Sequence, residues 1–478
     1  MYFTSIVYIQ HFMANNYNIQ IRYFSILAAW KLKCLFIVLV IFSGCGISSA
    51  QTWNSLGAVG FSAGETAFTS IALDGSGTPY IVYSDSINSW KATVMKYNGS
   101  SWVTVGSAGF SAGAAYYTSI AIDGGGTPYV AYVDFGNSQK ATVMKYSGSS
   151  WVTVGSAGFS AGQANYTSIA MDTGDTPYVV YADFSDSQKA TVMKYNGSSW
   201  VTVGSAGFSL TSSGVSNTSI AIDASNVPYV VYSDFSDVKV VVMKYNGSNW
   251  VTVGSAGFSA GPAAYPSIAL NASGTPYVVY EDWGNSHRAT VMKYNGTNWV
   301  TVGGAGFSTG QVNYTSIAID TGGTPYVVYE DFGNSEKATV MKYNGSSWVN
   351  IGTPGFSAGN VWYTSIAIDR SGIPYVVYAD SVNSGKSTVM KLESRAGVKN
   401  IIYPAVNTAT LFPNPTSATI TISAPNIISQ VSVVNLLGQT VYTREYNAEQ
   451  AEINVRDLPA GVYFIKINGT EVRKFIKE

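Results

Sequence analysis

The sequence predicts an all-β chain: a seven-bladed β-propeller followed by a small C-terminal β-sandwich. Three observations lead there. A Gly-Phe-Ser triplet recurs seven times at steps of 49 or 50 residues. Each repeat holds four short apolar runs separated by turn residues. The last repeat lacks its fourth run, and a matching run stands alone at the front of the array. A period of this length with four strands per unit is the signature of propeller blades.

The triplets begin at Gly60, Gly109, Gly158, Gly207, Gly257, Gly306 and Gly355. In the second repeat, run A is Thr118–Ile122 and run B is Pro128–Asp134, joined by the turn Asp123–Thr127. Run C is Lys140–Tyr146 and run D is Trp151–Val154, joined by Ser147–Ser150. Both links are short and rich in Gly or Ser, as antiparallel hairpins require. In run B, Val130 and Tyr132 point one way, while Tyr129, Ala131 and Val133 point the other. A strand apolar on both faces suits a sheet packed between two neighbours better than one with a solvated face.

The ends of the array predict closure. An orphan run D, Trp53–Gly57, precedes the first run A, and after the last run C, Ser387–Lys391, the chain turns into Glu393-Ser-Arg395. Pairing the orphan with the last blade makes a ring without a free sheet edge. A linear solenoid would want polar capping repeats instead. The repeat matches no propeller family closely.

Composition narrows the function. Only 11% of residues are charged and the formal net charge is -1, so no basic field exists to draw nucleic acid. The 34 Tyr, 11 Trp and 48 Gly fit strands with frequent turns.

Residues 1–50 read as a signal peptide region. Lys31 and Lys33 precede the apolar run Cys34–Phe42, and small residues lead to a cleavage site between Ala50 and Gln51. The apolar run is too short to cross a bilayer as a helix, so no transmembrane segment is expected in the mature chain. Phe42-Ser-Gly-Cys45 also resembles a lipoprotein signal, an alternative in which Cys45 becomes the first residue. Cys34 and Cys45 are the only cysteines, so the chain cut after Ala50 has no disulfide.

The propeller is expected over 51–392, with a linker at 393–410. Residues 411–478 differ in composition from everything before them. They contain Phe412-Pro-Asn-Pro-Thr416, Val434-Asn-Leu-Leu-Gly-Gln439, Leu458-Pro-Ala-Gly-Val-Tyr-Phe-Ile465 and the basic ending Arg473-Lys-Phe-Ile-Lys477. In order and spacing these resemble the type A C-terminal sorting domain of the Bacteroidota type IX secretion system. The resemblance implies recognition by that machinery and a product secreted or attached to the outer surface.

Chemistry is scarce. His287 is the one His beyond the signal region, and Trp90, Gln139, Gln188, Glu336 and Gly385 stand at its position elsewhere. It is expected to be a surface residue, and no catalytic set, metal or cofactor is expected. The departures between repeats bring in no new acid–base groups on this reading. Asp74, Asp123, Asp172, Asp223, Asp320 and Asp369, with Asn271, end run A and cap the turn that follows. Lys96 and its six counterparts in run C read as rim charges with buried stems.

A second carboxylate ring has no exception: Asp85, Asp134, Asp183, Asp234, Asp282, Asp331 and Asp380 end run B. Beside them stand Phe135, Phe184, Phe235, Trp283 and Phe332, then Asn137, Asn285 and Asn334, with Asp186 and Asp237 in the remaining two blades. Alternating strand direction puts this B–C loop on the same rim as the D–A loop, which brings Tyr117, Tyr166, Tyr265, Tyr314 and Tyr363. Flat apolar faces beside polar groups suit sugar rings and peptide side chains. Structural capping by the Asp residues and gap-filling by the aromatics is the competing reading. Calcium at Asp183/Asp186 or Asp234/Asp237 is another, short of the six to eight oxygens calcium takes. The expected function is a secreted or cell-surface multivalent binding or adhesion propeller for glycan or protein ligands. The alternatives are an extracellular polysaccharide-active enzyme (glycosidase or lyase) and a structural surface-layer protein.

Overall fold

The computed structural model describes residues 51–210, 213–394, 409–469 and 471–478. The predicted signal region and the predicted linker residues 395–408 lie outside them. The described residues form two units, one to each side of the linker.

The first unit is seven four-stranded antiparallel sheets. Blade 1 shows the plan: strand A Thr66–Leu73, strand B Pro79–Asp85, strand C Lys91–Tyr97 and strand D Trp102–Thr104. β-branched and aromatic residues fill these strands because a pleated, covered surface suits them. Every residue of strand B is buried in all seven blades. Both faces of the sheet are therefore covered, as the two-faced apolar pattern requires. Strands A are innermost, each touching strand A of the next blade around the whole circle.

The ring closes as expected. Gln51–Ser55 adds as strand D of blade 7, antiparallel to strand C at Lys386–Ser394, with Trp53 opposite Leu392. Across the closure, Ile81, Tyr83 and Trp102 of blade 1 share one apolar cluster with Tyr375, Val377 and Val389 of blade 7.

The recurring Gly-Phe-Ser triplet has a packing role. Its Phe stacks on the strand D Trp of the blade it leads into, with ring centroids 4.0–4.5 Å apart in all seven blades. The Trp Nε1–H then donates to a carbonyl just beyond strand D of the preceding blade, at 2.6–2.8 Å. Each lock joins two blades and contributes about 1 kcal/mol from stacking and a similar amount from the bond. The glycine permits close approach: a Cβ at Gly60, where φ is +55, would lie 2.7 Å from Asn383 Cβ.

The second unit is one five-stranded sheet. Two long strands, Thr419–Val434 and Thr440–Asn454, form a hairpin in which the second is an edge. Along the other edge of Thr419–Val434, Thr410–Phe412 pairs with its first part and Gly461–Ile467 with its last residues, and Glu471–Lys477 follows Gly461–Ile467. The sheet curls around Ile420, Ile422, Val431, Ile453, Ile465 and Phe475. Thr416 N–H bonds Ile476 O at 3.0 Å, tying the segment that leads into Thr419–Val434 to the edge strand Glu471–Lys477. The expected sandwich is thus a single sheet folded over its own core.

Candidate functional site

Strand B ends in a carboxylate that shapes the next loop. In blade 2, Asp134 Oδ1 accepts from Gly136 N–H at 2.9 Å, capping a single 3-10 turn. Its Oδ2 accepts from Asn137 Nδ2 at 2.7 Å and from Thr142 Oγ1 at 3.1 Å. Asp331 makes the same three bonds with Gly333, Asn334 and Thr339. Asp183 and Asp234 are capped by Ser185 and Ser236, each through both its N–H and its hydroxyl. All these carboxylates are buried. The predicted Asp and Asn residues are therefore occupied within their own loops, which is the capping arrangement.

What the loop leaves outside is the aromatic that follows. Phe135, Phe184, Phe235, Trp283 and Phe332 are 39–45% exposed. Each donates its backbone N–H to a carbonyl of the D–A loop, as Phe135 does to Ala114 at 3.0 Å. The two loops therefore share one rim, as strand alternation predicts. They touch closely: a Cβ on Gly113 would lie 2.2 Å from Gly136 N.

The predicted tyrosines are not beside these rings. Tyr117, Tyr166, Tyr265, Tyr314 and Tyr363, with Phe68, occupy a bulge in strand A at φ between 48 and 55°. They line a cavity of about 250 Å³ at the innermost ends of the blades. Neighbouring rings lie 4.8–5.1 Å apart and are turned by 46–52° from one to the next, roughly one seventh of a full turn. At this spacing each ring turns a face toward its neighbour rather than lying edge to edge with it. Asn217 interrupts the arc in blade 4. Burial and the neighbouring phenols push Tyr117 up to about 12. In blade 2 only, Tyr116 bridges the two groups, 4.6 Å from Phe135 and 5.3 Å from Phe68.

One expectation needs correction: the departures between repeats do bring in acid–base groups. At the penultimate position of strand B, where other blades carry Ser84, Val133, Ala182, Ser233 and Ala379, blades 5 and 6 carry Glu281 and Glu330. They are 4% and 2% exposed. Glu281 Oε1 lies 2.6 Å from His287 Nδ1, and the His287 ring sits 5.1 Å from Trp283. His287 is thus half-exposed and held by a buried carboxylate. Burial raises the Glu281 carboxyl, partly offset by its bond to His287. Burial pushes Glu330 up to about 7 against the bond from Asn313, and Glu336 adds a like charge. The signal was legible as Glu where sister repeats hold small or apolar residues. Asp282 differs too: its Oδ1 is the one buried side-chain polar atom without a partner among the described residues.

On the opposite rim, Asp74 Oδ1 accepts the N–H groups of Ser76 and Thr78, and its counterparts cap their turns likewise. Each strand C lysine places its ammonium 5.4–6.0 Å from the ring of the strand B tyrosine opposite it. Its stem is covered and its charge rests on a π face. Among the described residues no three His, Cys, Asp or Glu side chains are grouped as a metal site.

Residues 410–478 match the family model described as a secretion system C-terminal sorting domain. The tail is a type IX secretion sorting domain. A chain bearing this sorting domain is secreted or displayed at the outer surface, and the domain engages the secretion machinery. No helix among the described residues is long and apolar enough to cross a membrane.

No curated protein matches the chain. Among solved structures, it is similar to PorZ, a surface component of the type IX secretion system of Porphyromonas gingivalis. The two are 13% identical, with a TM-score of 0.47 over 87% of this chain and 60% of that one. It is also similar to a PL25 ulvan lyase, at 11% identity and TM-score 0.47 over 70% of this chain and 95% of the lyase. A third is the Aleuria aurantia lectin, at 15% identity and TM-score 0.42 over 62% and 99%. Likenesses this distant say nothing of a ligand.

Proposed function

We propose that the chain is a multivalent binding module of the bacterial surface, taking glycan or protein ligands on the loop rim through Phe135, Phe184, Phe235, Trp283 and Phe332. The observation that carries this reading is the exposure of five aromatic rings at one repeated position, each 39–45% open to solvent. The carboxylate and backbone of each loop are fixed by internal bonds, so the rings are held in place before a ligand arrives, which lowers the cost of binding. Flat faces of this kind stack on sugar rings and on apolar side chains. Individually weak sites add by avidity when the ligand is repetitive. Cleavage after Ala50 and export through the type IX route would deliver residues 51–394 to the surface. A glycan array probed with the purified chain tests the reading. Binding lost when all five rings become Ser supports it, and unchanged binding refutes it.

The Glu281–His287 pair favours a second reading, an enzyme acting on extracellular polysaccharide. A half-exposed imidazole oriented by a carboxylate is the arrangement of a general base. Hydrolysis or cleavage of an arrayed polysaccharide that His287→Gln abolishes would establish it.

A further inference from the structure

The ring of carboxylates that caps the A–B turns has one exception, Asn271 in blade 5. Asn271 Oδ1 accepts the N–H groups of Ser273 and Thr275 at 3.1 and 2.8 Å, as Asp74 Oδ1 accepts those of Ser76 and Thr78. The turn is therefore capped without a charge, and the exchange alters only the second side-chain atom. In the sister blades that atom is a carboxylate oxygen, which in blade 7 accepts the Tyr375 hydroxyl at 3.4 Å. In blade 5 it is Nδ2, an amide donor with no partner among the described residues.

Asn271 lines a cleft of about 550 Å³ between blades 4 and 5, within the size range of small-molecule sites. Lys244 of blade 4 and Lys293 of blade 5 line it too, their ammonium groups resting on Tyr229 and Tyr277 at 5.8 and 5.9 Å. Neither lysine forms an ion pair, since those among the described residues are His287–Glu281 and Arg473–Glu471. No carboxylate lines this cleft, whereas Asp74 lines the matching cleft of about 530 Å³ between blades 7 and 1. One acid stands at the margin: Asp223, beside Gly274, with its Oδ1 taken by Ser225 and Val227 of its own turn. Two cations and a free amide donor thus share a cleft that holds no acceptor charge of its own. Donors of this kind make charge-assisted hydrogen bonds to sulfate and carboxylate groups. Tyr294, half-buried in the same lining, adds apolar surface of the sort on which sugar rings rest.

We propose that the cleft between blades 4 and 5 is a binding site for an anionic sugar, its sulfate or carboxylate held by Lys244, Lys293 and Asn271 Nδ2. The site lies on the rim opposite Phe135 and its counterparts and does not depend on their binding anything.

The test titrates the purified chain by calorimetry with a sulfated galactose tetrasaccharide and with the same tetrasaccharide after desulfation. The sulfated form is expected to bind one site per chain, and the desulfated form at least about tenfold more weakly, the scale of one charge-assisted hydrogen bond. Asn271→Asp restores the residue of the sister blades and keeps the cap. It and Lys293→Gln each weaken binding about tenfold, while the melting temperature confirms folding. Lys145→Gln, the same change in blade 2, and Phe135→Ser on the opposite rim leave binding unchanged. A tetragalacturonate titrated alongside separates carboxylate from sulfate as the group held. Binding of neither acidic sugar, equal binding of the desulfated form, unchanged affinity in Asn271→Asp and Lys293→Gln, or an equal loss in Lys145→Gln would each overturn the proposal. So would an acidic peptide, tetraglutamate, binding in preference to both sugars.

Discussion

Trp53, at the front of the repeat array, stacks on Phe356 near its end with ring centroids 4.5 Å apart, and donates to Ile351 O at 2.8 Å. The same pair of contacts joins every other neighbouring pair of blades, but here, between blades 6 and 7, the Trp is supplied by the N-terminal strand and its partners by the far end of the repeat array.

That contact predicts a large stability effect. Deleting residues 51–58 removes strand D of blade 7 and uncovers the sheet edge at Lys386–Ser394. Thermal unfolding should shift down strongly, and Trp53→Ala alone should cost about 3–5 kcal/mol, the usual range for a buried Trp. Unchanged melting would contradict ring closure.

The ring was legible because it rests on counting and period: seven triplets, four runs each, one run displaced. The A–B turn caps were legible because Asp recurs where a turn needs an acceptor. Two things were not. Tyr117 and Phe135 seemed to share a loop rim, but the strand A bulge at Tyr117 turns its ring to the axis, and a bulge leaves no mark in an alternating pattern. Glu281 and Glu330 leave no mark in the repeat pattern, because they matter by differing from Ser84, Val133, Ala182, Ser233 and Ala379 rather than by recurring.

The sorting domain predicts where a shortened chain goes. Because the propeller's core and locks lie within 51–394, removing Leu411–Glu478 should leave it folded but retained in the periplasm of a host with the type IX system. Fractionation with limited proteolysis checks both halves. Normal secretion of the shortened chain would contradict the role of the tail.

Glu330 predicts a dependence of stability on pH. Its carboxyl is raised from 4.5 to about 7 in the folded chain, so the native state holds the proton more tightly than the unfolded one. Stability from this group is therefore greatest below about pH 4.5, declines as pH rises to about 7, and is level above. Glu330→Gln should be more stable than the parent at pH 8 by about 1–3 kcal/mol, with the gap closing by pH 4. Denaturant unfolding at the two pH values checks this; an equal gap at both would contradict it.

The central claim, that the outer aromatic rings bind a repetitive ligand together, is tested most directly by measuring binding as the rings are removed. Phe135, Phe184, Phe235, Trp283 and Phe332 are replaced by Ser one at a time and then together, and binding to immobilised glycans is measured alongside the melting temperature. Half-exposed rings contribute little to the core, so melting should stay nearly constant. Each single change should weaken multivalent binding only a few-fold, with losses accumulating until the five-fold variant no longer binds. Loss of all binding from Trp283→Ser alone would contradict the account by assigning function to one specialised blade, and a five-fold variant that binds like the parent would remove the outer rim from function altogether.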